Sequence, residues 1–264
     1  MDERRSDAIS STSSRAGMVW AALLVVSAGA WLVTIRRADS MGNGTGTMGM
    51  AFPLFVGMWT AMMAAMMWPA ITPSALRNAE GISHAKVAVL GLARGISFAV
   101  GFVLPWAVYG AVAFLAFIGT GHLADASPTV AKWLGVGILG IAGIYQFTPW
   151  KDRFLAHCHG HMGPVGVGSS LSDAAAGARE GTYCVGCCWA FMAMFLALGV
   201  MNVTAMVALA AVIFAEKLLP LAGARTFARA VGLAFVVLAV IAAIHPTILA
   251  GLHVSDMGMG SGGM

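Results

Sequence analysis

Long apolar runs separated by very few charges constrain this chain more than any other feature. A hydrocarbon core about 30 Å thick is crossed by about 20 apolar residues in a helix. Six stretches approach that length: Met18 to Ile35, Phe52 to Ile71, Val87 to Ile118, Trp133 to Pro149, Cys187 to Phe214 and Thr226 to Ala250. In the third, Arg94 snorkels at the entry, so the spanning part is nearer Gly95 to Ile118, and Pro105 kinks it or is accommodated by neighbouring helices. Only 10% of the 264 residues are charged and 59% are hydrophobic. Soluble domains are about 25% charged. The chain therefore lacks the polar groups to cover a water-facing surface, which excludes an ordinary soluble enzyme, a disordered protein and a nucleic-acid module.

The expected fold is an all-α, polytopic membrane helix bundle of about six transmembrane helices. Residues 1–17 form a polar N-terminal segment, 18–250 a single transmembrane domain, and 251–264 a flexible Gly/Met tail. The segment 150–182 is read as a connecting loop that contains His and Cys. Arg36-Arg37 directly after the first run argue for an uncleaved helix over a signal peptide. Basic residues number nine on one side of the six-span arrangement and six on the other, which favours the N-terminus inside, although Arg36-Arg37 argue locally for the reverse. Gly91 and Gly95, the repeat of Ala93, Ser97 and Gly101, and the series Gly137, Gly140 and Gly143 are spaced for close helix approach.

Methionine is abundant, with 18 residues. Met58, Met62 and Met66 follow one another at i, i+4 and i+8 on one face of the second span, with Met63 and Met67 beside them. Thioether sulfur is a soft ligand suited to Cu(I), and Met is also a common apolar filler. His157-Cys158-His159-Gly160-His161 places four metal donors in five residues. Neutral imidazole and thiolate ligate zinc and copper. Four donors packed into five consecutive residues cannot all converge on one ion in a regular helix, so this cluster is expected in a loop. Cys184, Cys187 and Cys188 open the fifth span at i, i+3 and i+4, one face of a helix, and Met192 extends that face. At a helix N-terminus such thiols are activated as ligands and nucleophiles. Cys184 and Cys187 are also a C-x-x-C pair, so a thiol–disulfide activity is the competing reading. The sequence contains no Walker loop, zinc-protease motif or nucleophile elbow.

Three blocks carry a family resemblance. They are Trp59-Thr-Ala-Met-Met-Ala-Ala-Met-Met-Trp-Pro-Ala; Tyr145-Gln-Phe-Thr-Pro-Trp-Lys through His157-Cys158; and Gly181-Thr-Tyr-Cys-Val-Gly-Cys-Cys-Trp-Ala, continuing through Gly199-Val-Met-Asn202 to Glu216-Lys-Leu-Leu-Pro220. Together they resemble the bacterial family catalogued as domain of unknown function 2182, described as predicted metal-binding integral membrane proteins and sometimes labelled copper chaperones. The resemblance implies a multi-pass protein of the bacterial inner membrane.

The expectation from residues and resemblance together is an integral membrane protein binding a soft metal ion, Cu(I) foremost and zinc as the alternative, for transport or delivery to a copper-accepting client. Its partners are then the lipid bilayer and that client, with no nucleic acid. A non-catalytic assembly subunit is a third reading. Met62 or Met66 is expected to face the Cys face across neighbouring helices. The His/Cys segment is expected on the same side of the membrane as that face, as an entry or exit.

Overall fold

The computed structural model describes residues 25, 28, 29, 31, 32, 35, 36, 47, 49–80, 88–159, 170–199 and 202–245; of 68–80, 88–95, 128 and 170 it describes the backbone only. Every regular element among them is a helix: α1 Phe52–Glu80, α2 Ala88–Ala126, α3 Pro128–Tyr145, α4 Pro149–His159, α5 Ser170–Ala193, α6 Phe195–Leu198, α7 Val203–Leu218 and α8 Leu221–Ile244. The all-α expectation stands on these elements.

Among the described residues the helices fit to cross a membrane do not clearly number six. Three helical stretches are long and apolar enough to cross a membrane: Ile96–Ala126, Leu171–Leu198 and Leu221–Ile244. A fourth forms if α3 and α4, which meet at a 62° bend, count as one broken span. The first expected span lies almost wholly outside the described residues. The second coincides with the first part of α1, whose described side-chain stretch Phe52–Met67 is apolar. The fifth is not continuous. Gly199 at φ 91° turns the chain after α6, and α7 restarts behind Asn202, whose side-chain oxygen accepts from the Ala205 N–H. A glycine adopts that positive φ without the steric cost of a Cβ, and Asn is a strong helix cap. Both residues sit inside an apolar run, where hydropathy hides the break.

The expected loop over 150–182 is largely helical as well. Pro149 starts α4, where its missing N–H costs nothing, and α5 begins at Ser170, well ahead of the cysteines.

Outward faces are apolar. On α2, Val100, Leu104, Val108, Val112 and Leu115 recur every three or four residues and are all more than half exposed. On α8, Leu233, Val237, Val240, Ile241 and Ile244 form a second outward stripe, 40–68% exposed. A monomer in water rarely shows such contiguous stripes. Lipid makes them an ordinary surface.

Inward, α5 is the central strut. It packs along α2 so closely that a Cβ on Gly101 would fall onto the Ala174 carbonyl, and one on Gly177 or Gly181 onto the carbonyls of Phe98 or Phe102. Small residues let helix backbones approach in this way. Gly101 was legible as a packing residue, whereas Gly177 and Gly181 were not. Gly143 meets the Gly232 carbonyl of α8, while Gly137 and Gly140 face open space. Trp59 of α1 lies over Gly110 and stacks on Tyr109, holding α1 to α2.

Candidate metal centre

The central helix fixes the first three donors. Cys184, Cys187 and Cys188 lie on one face of α5 and are each about 1% exposed. Their sulfurs all lie within 4.8 Å of one another. They sit fourteen residues or more into the helix, so the expected activation by a helix N-terminus does not apply. That term falls off within the first turn.

Two tyrosines pin this stretch from outside. Tyr109 Oη donates to the Trp189 carbonyl at 3.0 Å, and Tyr145 Oη donates to the Gly186 carbonyl.

Helix α4 brings the fourth thiol. Gly186 has no side chain in the way of Phe154, which lies where a Cβ would stand. That close approach seats the end of α4 on α5. Cys158 Sγ is 3.5 Å from Cys187 Sγ, and Cys187 Sγ is 3.2 Å from Cys188 Sγ. All four cysteines are free thiols.

From α1, Met67 Sδ lies 3.8 Å from Cys184 Sγ. A metal–thiolate bond is about 2.3 Å, so sulfurs around one ion stand about 3.8–4.0 Å apart. The observed gaps need only small outward movements to match. The donor set is all sulfur, the chemistry that selects soft ions such as Cu(I).

The remaining expected donors are placed differently. His157, Cys158 and His159 form the last turn of α4 instead of a loop, so their side chains diverge. Exposed His157 stacks on Tyr183 with ring centroids 4.0 Å apart. His159 is committed to backbone: Nδ1 lies 2.9 Å from the Leu155 carbonyl and Nε2 3.0 Å from the Leu219 carbonyl. Only the thiol of the three joins the sulfurs. His161 lies outside the described residues.

Met62, Met63, Met66 and Met192 are buried in the core and Met58 is half-buried. Met67 is the thioether seen against a thiol, where Met62 or Met66 was expected. The cause is the crossing of α1. Its main partner is α2, and it reaches the Cys face at Met67.

Three charged residues stand at the centre, Lys151, Glu216 and Lys217, which the sequence offered only as parts of the family blocks and not as site residues. Lys151 is completely buried, 2.8 Å from Glu216 Oε2 and 2.8 Å from the Cys187 carbonyl. Lys217 Nζ lies 3.2 Å from Cys184 Sγ. The available signal was a charge inside an otherwise apolar helical pattern, since such residues pair inward and mark sites.

Against this geometry, the family profile PpoB2, described as a copper chaperone, matches residues 56–242. The chain belongs to the PpoB2 copper chaperone family. The matched region of this PpoB2 member takes in every helix that supplies a sulfur to the cluster, from Met67 on α1 through Cys158 on α4 to the three cysteines of α5. No curated protein and no solved structure matches the chain.

Proposed function

We propose that this PpoB2 member binds Cu(I) in the bacterial inner membrane through its sulfur cluster and delivers the ion to a client protein. Cys184, Cys187 and Cys188 are the core ligands, with Cys158 and Met67 as the further donors. The observation that carries this reading is the convergence on Cys187: thiols from two helices within 3.5 Å, in a pocket that also holds a thioether.

Cu(I) moves between sites by exchanging one sulfur ligand for another. Five sulfurs at near-contact spacing allow such exchange without leaving the ion bare. Cys158 is the least buried of the four thiols and stands beside the exposed His157, so the α4 end is the side from which a client takes the ion. Zinc is the weaker candidate because the cluster includes the Met67 thioether, a donor that suits Cu(I) and is not among the usual zinc ligands.

The test is metal analysis of detergent-purified protein with Cu(I) and Zn²⁺ offered in competition. Wild type is expected to retain copper, and Cys184→Ser/Cys187→Ser/Cys188→Ser to lose it. Equal retention by both proteins would overturn the assignment. The 3.5 Å gap between Cys158 and Cys187 also suits a thiol–disulfide couple. That reading requires protein that carries no copper and cycles between four free thiols and two.

A further inference from the structure

We infer that Lys151 is the positioning residue of the sulfur cluster, its ammonium anchored by Glu216 and holding the Cys187 carbonyl so that the Cys187 and Cys158 sulfurs stay within reach of one ion. The inference rests on the Cu(I) reading for its metal readout, and on the contacts of three helices for its geometry. Lys151 and Cys158 are seven residues apart on α4, two turns along the same face. Both grip the same residue of α5. Cys158 meets the Cys187 sulfur at 3.5 Å, and Lys151 meets the Cys187 carbonyl at 2.8 Å. The lysine is aimed by two further contacts. Glu216 on α7 takes a 2.8 Å ion pair from it, and the Phe191 ring, one turn beyond Cys187, lies 4.6 Å from its Nζ.

A simple stabilising role does not account for this arrangement. Burying an ammonium and a carboxylate costs desolvation that their attraction only partly offsets, and packed apolar pairs of similar volume commonly hold helices equally well. An apolar pair has no donor for the Cys187 carbonyl. Groups that orient a ligand from behind typically set metal affinity by about 10–100-fold. Here the group behind the ligand acts on its backbone, fixing where the Cys187 side chain starts.

Two readouts separate positioning from folding. The first is Cu(I) affinity of the full chain in detergent. The second needs no copper: in a Cys184→Ser/Cys188→Ser background, diamide accepts two hydrogens from Cys158 and Cys187 as their disulfide forms, and the rate reports how often the two sulfurs meet. Lys151→Met/Glu216→Leu is expected to melt within a few degrees of wild type, to bind Cu(I) at least about tenfold more weakly, and to form the disulfide more slowly. Wild-type affinity together with a wild-type disulfide rate overturns the proposal. If wild type holds no copper while the double variant still slows the disulfide, the Cu(I) reading fails and the positioning role stands. Should the double variant not fold, Glu216→Gln removes the anchor of Lys151 at constant shape. A slower disulfide supports the role, and an unchanged one overturns it.

Discussion

Cys187 touches more of the centre than any other ligand. Cys158 and Cys188 lie against its sulfur, Lys151 donates to its carbonyl, and its own thiol lies 3.2 Å from the Cys184 carbonyl. Replacing it removes a donor from the middle of the set, so Cys187→Ser is expected to weaken Cu(I) binding by at least about 100-fold, the upper end of what an outer partner alone controls. Titration against a Cu(I) chelator measures this. Met62→Leu and Met66→Leu are expected to leave affinity unchanged, because their thioethers are core filler, while Met67→Leu weakens it. A loss at Met62 equal to that at Met67 would mean that the ion is held along α1 instead. The type of each donor was legible in the sequence, because soft sulfur is a property of the residue. Which methionine faces the thiols depends on how α1 crosses the bundle, and periodicity carries no information about a crossing point.

At the scale of helices, the site depends on close approach at glycines. Gly186 admits Phe154 and thereby brings Cys158 to Cys187. A Val at 186 has to push α4 outward. Gly186→Val is therefore expected to lower Cu(I) affinity more than thermal stability, read by chelator competition and melting in detergent. Gly177→Leu strikes the α2 backbone, and overpacking there costs about 1–3 kcal/mol or more, seen as a lower melting temperature. Gly140→Leu faces open space and is expected to change neither. The Cys184/Cys187/Cys188 face was readable because three positions at i, i+3 and i+4 need only a helix to align. The break at Gly199 and Asn202 was not, since one glycine and one capping side chain interrupt a run whose hydropathy stays high. The His157–His159 turn was misread for a related reason. A dense donor cluster suggested convergence on one ion, yet in a helix its members point apart, and the His159 ring lies against the backbone carbonyls of Leu155 and Leu219.

For the whole molecule, the apolar stripes on α2 and α8 predict that the protein remains with membranes after alkaline carbonate washing and is released by detergent. Recovery in the soluble fraction would contradict lipid as its environment. Composition made the membrane class plain, but where one crossing ends and the next begins was not, because a broken helix and a bent pair each read as uninterrupted apolar length. The central claim is that clustered sulfurs, and not nitrogen or oxygen donors, hold the ion. X-ray absorption at the copper edge of the Cu(I)-loaded, detergent-purified protein tests it most directly. The account predicts a shell of sulfur alone, at about the 2.3 Å of metal–thiolate bonds, that disappears in Cys184→Ser/Cys187→Ser/Cys188→Ser. A nitrogen or oxygen shell in the wild type, or a sulfur shell that survives in the variant, would contradict it.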